Sequence, residues 1–443
     1  MGNKLGKDFN FISLIGFTLP TMIMMIFMSL YTMVDGMFVS QFINTTALSA
    51  LNIVFPMMSV LLAVGIMLST GSSAVIAKEL GEGKIKDARK HFSFITLVGV
   101  LFGVVFTTVG LIFIEPLVWV MGANEATFSY GCDYLRVLLL FMPMGMLQML
   151  FQTLFVTAGK PYLGLTSTVL GGITNIVLDY VFIVPLQMGV TGAAVATGLG
   201  YCVPAVTGLV YFTFFRKGTL FFVLPKFDGK MLIKSCANGS SEMVTNLSMA
   251  VTTFMFNILM MKYAGEDGVA AITIVLYAQY LLIALFLGYS TGSAPVFSFN
   301  YGCENIKMLK RIFKISIKFV VVASVATFVL SLVLADELVL VFAKPNTNVY
   351  DLSIEGFYLF SSSFLFAGIN IFSSAMFTAF SDGRVSAIIS FSRTFLFIVV
   401  ALLVLPLIMG ITGIWIAIPV AEFLGIIVSV FYFIKCRKKY SYV

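Results

Sequence analysis

The chain is poor in the groups that catalysis and water-facing surfaces require. Only 11% of its 443 residues are charged, and only one is a histidine, His91, which falls in a basic loop. A membrane-embedded enzyme needs clustered His, Asp or Ser groups, and a lone loop histidine argues against one. The five cysteines (Cys132, Cys202, Cys236, Cys303 and Cys436) are scattered with no C-x-x-C pair, so neither a zinc site nor a disulfide framework is indicated. A nucleotide-driven pump is disfavoured as well. "GEGKIKD" from Gly81 contains a Gly-Lys pair but lacks the preceding glycine and the following Ser or Thr of a phosphate-binding loop. No long polar stretch could fold into a nucleotide domain. The first apolar run, from near Phe9 to about Phe42, is too long for the core of a cleaved leader.

What the chain has in quantity is apolar surface. Hydrophobic residues make up 60% of it, more than a soluble core absorbs. They fall into runs that reach the roughly 20 residues a helix needs to cross a hydrocarbon core. Abundant Gly, Phe and Met suit helices that pack closely within a membrane. The pattern predicts an all-α membrane protein with twelve spans, at 10–41, 49–77, 92–114, 131–156, 163–185, 191–214, 232–262, 269–297, 312–334, 354–379, 385–408 and 412–434.

The net charge of +7 raises the question of nucleic acid, but its layout answers differently. Of the 27 Lys and Arg residues, all but Arg136, Lys262, Lys344 and Arg393 sit at the termini or in alternate connections. That asymmetry reads as membrane topology, with both termini and the basic connections in the cytoplasm and no nucleic-acid partner. The expected location is the cell membrane, crossed many times, with the lipid bilayer as surroundings.

The sequence also repeats itself at an offset of 221 residues. "LSTGSSA" from Leu68 meets "YSTGSAP" from Tyr289, and "PLQMGVTG" from Pro185 meets "PLIMGITG" from Pro406. Six spans per repeat is an even number, so both halves enter the membrane from the same side, related by an axis along the membrane normal. The expected organisation is a first lobe (1–215, helices 1–6), a cytoplasmic linker (216–230) and a second lobe (231–443, helices 7–12). Two pseudo-symmetric six-helix bundles facing one another form a transporter architecture.

If the repeat is scaffold, function lies where the halves differ. Asn175 and Asp179 are four apart, hence on one helix face, and their repeat partners are Leu396 and Val400. Thr197 meets Ile418, and Asp35 meets Phe256. Asp35, Asp179 and Thr197 each lie about six residues from an outer helix end, or roughly 9 Å deep at 1.5 Å per residue. Asn175 is one turn deeper. An intramembrane acid is costly and marks a functional site by default. Two carboxylates with an amide and a hydroxyl offer hard oxygens to Na+, or can share a proton, because burial and like charge both raise a carboxylate pKa. The plainer reading is that Asp35 caps a helix end and never meets Asp179.

The second half carries Glu242, Asn246, Gln279, Asn370, Arg393 and Glu422 as candidate substrate or structural polar groups. A buried Arg393–Glu422 ion pair is expected. Glu242 is either a substrate contact or the true partner of Arg393. Methionines crowding spans 1 and 4 suit a soft binding surface or a lipid-facing one. Prolines inside spans (Pro20, Pro56, Pro143, Pro204, Pro295 and Pro419) are expected to kink them.

The chain resembles the multidrug and toxic compound extrusion (MATE) family along almost its whole length. The resemblance rests on "TLPTMI" opening span 1 before "VDGMFV", "GEGKIKDARK" after span 2, "NIVLDYVFI" in span 5 and "GVTGAAVAT" in span 6. It implies two six-helix lobes forming a V that alternates between faces, and export of organic cations in exchange for Na+ or H+. It also implies a cation site in the first lobe, falling here on Asp35, Asn175, Asp179 and Thr197. Some members carry a further coupling acid in span 7; Met249 is near that position, with Glu242 two turns earlier, which puts a second-lobe cation site in doubt. The expected protein is therefore a monomeric, cation-coupled antiporter with no cofactor beyond its coupling ion and with small organic cations as substrates. The alternative is a flippase for a lipid-linked or anionic molecule, whose cavity should be strongly basic.

Overall fold

The computed structural model describes residues 4–43 and 45–443, with the side chains at positions 33, 35–41, 45, 48, 49 and 52 outside the described set. Among the described residues all regular structure is helical. The first half supplies α1 (Phe11–Phe42), α2 (Thr45–Gly81), α3 (Ile85–Ile112), α4 (Glu125–Leu140 with Met142–Thr157), α5 (Pro161–Ile183) and α6 (Gly189–Phe214).

Nine helices among the described residues are long and apolar enough to cross a membrane, or eleven when two bent pairs each count as one. The twelfth span is hidden in Gly229–Gly302. Its 74 residues would stretch about 110 Å as one helix, against roughly 30 Å of hydrocarbon. The backbone breaks at Gly265, whose φ of 64° and ψ of −153° are not helical. The pieces are α7 (229–264) and α8 (266–302). Then follow α9 (Ile306–Val333), α10 (Asn348–Ser361 with Phe364–Ala379), α11 (Gly383–Phe391, a π turn at Ser392–Leu396, and Phe397–Met409) and α12 (Ala417–Tyr440). The helix count agrees with the twelve expected spans. Many helices keep large apolar side chains exposed, such as Ile112 on α3 and Leu407 on α11, as a lipid-bathed surface requires.

The repeat recurs in backbone detail. Gly189 and its partner Gly410 both take positive φ, 57° and 59°, where a side chain would be strained. The bent pairs turn by 57° and 56°, around Phe141 and its partner position Ser362. Pro143 accounts for the first bend, as expected. The second has no proline. There Ser361 and Ser362 hydroxyls donate to the carbonyls of Phe357 (2.7 Å) and Leu359 (2.9 Å), the competition with backbone bonding that bends helices. The helices run unbroken through Pro20, Pro56, Pro204 and Pro295.

The halves meet through close backbone approaches at the ends that carry the basic connections. A Cβ on Gly81 would lie 2.0 Å from the Phe299 carbonyl oxygen, and one on Gly302 would lie 2.1 Å from that of Lys78. Positions 78 and 81 are the repeat partners of 299 and 302, so the contact is reciprocal, as a two-fold axis through the interface demands. One level deeper, a Cβ on Gly239 would come within 2.0 Å of the Met67 carbonyl oxygen.

The connection between the halves is strapped along α3. Arg89 Nε donates to the Thr219 carbonyl (2.9 Å), the Val223 amide donates to Ser93 Oγ (3.0 Å), and Phe92 packs on Phe222. His91 lies inside α3, not in a loop. Its Nδ1 is 2.8 Å from Glu79, and its Nε2 is 3.5 Å from Asp228. Asp228 caps α7 by accepting from the Met231 amide, and that bond, with His91 nearby, holds its carboxyl below the usual range. Met22, Met24, Met142 and Met146 are buried, so this part of the methionine set is core and faces neither lipid nor a cavity.

Candidate functional site

Glycines let α5 and α6 approach closely enough for their polar residues to share a space. A Cβ on Gly200 of α6 would touch that of Asn175 on α5 at 3.1 Å. Asn175 is buried, and its Nδ2 reaches Thr197 Oγ1 at 3.4 Å, while Thr197 itself donates to the Ala193 carbonyl. Asp179, one turn along α5, is 0% exposed. The structure thus brings Asn175 and Thr197 together, with Asp179 on the same face. Asp35 belongs to α1, but its side chain lies outside the described residues.

Beside these groups is a cavity of about 10 Å³ walled by Tyr31, Gln148, Thr168, Asn175, Thr197 and Tyr201, the scale of one water molecule. Asn175 Oδ1, Gln148 Oε1 and Thr168 Oγ1 find no hydrogen-bond partner among the described residues. Each such buried atom costs about 1–3 kcal/mol. The wall therefore offers oxygens to a small cation, a proton carrier or a water.

The asymmetry with the second half survives a structural correction. Leu396 and Val400 match Asn175 and Asp179 in sequence register, yet they are 44% and 50% exposed. The π turn at Ser392–Leu396 inserts one residue per turn and rotates everything after it. The positions that face inward are one later: Phe397, half-buried, and Ala401, buried. They are apolar too.

The other candidate groups divide. Arg393, buried on the π turn, donates from Nη1 to Glu422 Oε1 at 2.6 Å. Asn370 Nδ2 donates to Glu422 Oε2 at 2.7 Å, and Ser429 Oγ donates to Asn370 Oδ1 at 2.8 Å. The pair forms as expected and stays within the second half. Glu242 is half-buried and makes no hydrogen bond to this network, although Arg393 is near enough for its charge to act on the Glu242 carboxyl. Asn246 Nδ2 bonds back to the Glu242 carbonyl at 2.8 Å, and Gln279 is half-buried on α8.

The MatE family model matches residues 20–181 and 243–403, more than half of the chain. The chain belongs to the MatE family of transporters. The matches begin 223 residues apart, close to the repeat offset. This MatE protein is 24% identical over 426 residues to the multidrug export protein MepA of Staphylococcus saprophyticus, covering 94% of this chain and 92% of that one. The MepA of Staphylococcus aureus is 22% identical over 415 residues, covering 93% and 91%. Among solved structures, an outward-facing multidrug-resistance MATE transporter of the MOP superfamily superposes with a TM-score of 0.91 at 25% identity, covering 99% and 97%. A MOP-superfamily transporter from Pyrococcus furiosus, whose pocket is described as reversed in polarity, gives 0.90 at 25% identity over 99% and 97%.

In this MatE chain, sequence reasoning missed Tyr31, Gln148, Thr168 and Tyr201 as wall residues. A signal existed for one: Gln148 and Gln152 stand four apart in an otherwise apolar helix. The Arg393 network makes a stability prediction. Arg393→Ala leaves a buried carboxylate without its counter-charge, a loss of about 3–5 kcal/mol. We expect a clearly lower melting temperature and folded yield, with substrate preference unchanged. Replacing both partners, Arg393→Met with Glu422→Leu, should recover much of the loss. A single variant that melts like the wild type would refute the assigned role.

Proposed function

We propose that this MatE-family protein is a monomeric multidrug exporter of the cell membrane that exchanges amphipathic organic cations for Na+ or H+. The observation that carries the reading is the pairing of buried Asn175 with half-buried Thr197 on an oxygen-lined cavity, with buried Asp179 one turn along, in a half whose counterpart is apolar in both sequence register and packing register. Position 35 is one turn beyond Tyr31, whose side chain walls the same cavity, which supports Asp35 as the fourth member.

The physics of coupling follows from the charges. Two buried carboxylates close together repel, so the group holds a proton or cation at neutral pH. Binding draws α1, α5 and α6 together and release lets them part. An ion that favours one shape of the first half, and a drug that favours the other, are coupled without sharing atoms. On this reading the basic ends face the cytoplasm, residues 1–215 and 231–443 are the rocking lobes joined by the 216–230 linker, and the arrangement, closed at the basic ends, is open outward.

A flippase for an anionic molecule would need free cations within the membrane. Arg393 is paired with Glu422, and Arg136 lies 3.5 Å from Asp133 at an exposed position. Neither is free to receive an anion, which favours cationic cargo. Purified protein in proteoliposomes, loaded with a fluorescent organic cation and given Na+ and pH gradients separately, tests the proposal. Export driven by at least one inward cation gradient is expected. Export of anionic substrates alone would establish the flippase reading instead.

A further inference from the structure

The basic end of α9 differs from its repeat partner, and the difference has the chemistry of a ligand. Lys307, Lys310, Arg311, Lys314 and Lys318 are all exposed, while Met308, Leu309, Ile312 and Ser316 between them are buried. Spacings of three and four place the cations along one helix face. The same face continues through Val322, Val325, Val329 and Val333, each at least half exposed. One uninterrupted stripe therefore changes from cationic to aliphatic near position 320.

The first half has no such stripe. The partners of these five positions are Lys86, Arg89, Lys90, Ser93 and Leu97. Arg89 and Ser93 are engaged by the strap between the halves, and Leu97 is apolar. The second half leaves this face open apart from Asp8 on Arg311 and extends the charge two turns deeper. Lys318 lies about 18 Å along the helix from Ile306, further than solvent contact at a helix end requires, and its stem can carry the ammonium back toward a phosphate. Opposing charge is scarce. Asp8 pairs with Arg311 at 3.1 Å, Glu304 sits in the preceding turn, and the basic end of α12 packs alongside through Phe433 on Phe313.

We propose that this stripe binds an anionic phospholipid of the inner leaflet, with the phosphate on Lys314 and Lys318 and an acyl chain along the valines. The adjoining valines select a lipid over a free phosphate, because a soluble anion makes no use of them. The cations select an anionic headgroup over a zwitterionic one.

The test is native mass spectrometry of the full-length protein in detergent, titrated with phosphatidylglycerol or phosphatidylcholine. Phosphatidylglycerol should bind preferentially, and glycerol phosphate should not displace it. Each lysine near a phosphate contributes roughly fivefold, so the double variant Lys314→Gln, Lys318→Gln should bind roughly 25-fold more weakly. The control Lys86→Gln, Lys90→Gln removes the same charge from the first half and should bind as the wild type does. Lys314→Arg with Lys318→Arg should retain binding. Equal loss in both glutamine variants would reduce the effect to net charge and overturn the proposal. So would equal binding of the two lipids, or full displacement by glycerol phosphate.

Discussion

Asp179→Asn should reduce gradient-driven export to the level of protein-free liposomes while leaving the protein folded and able to bind organic cations. The substitution keeps the side-chain volume and its capacity for hydrogen bonds, and removes only the charge. Asp179 is fully buried on the face that carries Asn175, so its ionisation is the largest electrostatic change this part of the membrane interior can undergo. Without it, the first half has lost an anionic anchor for a cation to grip and release. Asp35→Asn should be nearly as severe. Thr197→Ala removes one neutral oxygen, worth about 1 kcal/mol, and should weaken coupling roughly fivefold without abolishing it. Export by Asp179→Asn at the wild-type rate under every imposed gradient would remove the site from the account.

Gly239→Ala should bias the protein away from the arrangement closed at the basic ends. The added methyl would lie 2.0 Å from the Met67 carbonyl oxygen and 2.8 Å from its carbonyl carbon, so backbone, not a flexible side chain, must give way. A penalty of about 3 kcal/mol on one of two states shifts their ratio more than a hundredfold. Gly81→Ala and Gly302→Ala act on the reciprocal contact and should move the equilibrium the same way. Spin labels at Lys86 and Lys307, exposed at the same end of the two halves, should report longer distances in all three variants, with export slowed. Unchanged distances together with normal export would show that these approaches do not hold the closed state.

Much of this architecture could be read from the chain because membrane helices announce themselves by length and polarity, and because a duplication leaves loop glycines in register. The turn shared by Gly189 and Gly410 is such a case: its backbone tolerates little else. Other features leave weak traces. The bend at Ser362 has no proline; serine hydroxyls replace it, and serines occur throughout the spans. The π turn at Ser392–Leu396 has no composition of its own, yet it rotates α11 and changes which residues oppose Asn175 and Asp179. The site was legible where the halves differ, as Asn175, Asp179 and Thr197 stand opposite apolar repeat partners. Thr168 and Tyr201 in its wall were not, because single hydroxyls in a helix more often bond to their own backbone than line a cavity. His91 was misplaced because a run of basic residues looks like a loop even when it opens a helix.

The most direct test of the central claim is thermodynamic linkage between organic cation and coupling ion in the purified protein. If one site in the first half carries the ion and sets the shape that binds drug, the affinity for tetraphenylphosphonium must depend on Na+ concentration or on pH. Reciprocally, drug binding must release Na+ or protons. Calorimetric titrations across a series of Na+ concentrations and pH values, in wild type and Asp179→Asn, measure this. The account predicts a clear dependence on at least one of the two ions in the wild type and its loss in the variant. The same dependence in both proteins would contradict it.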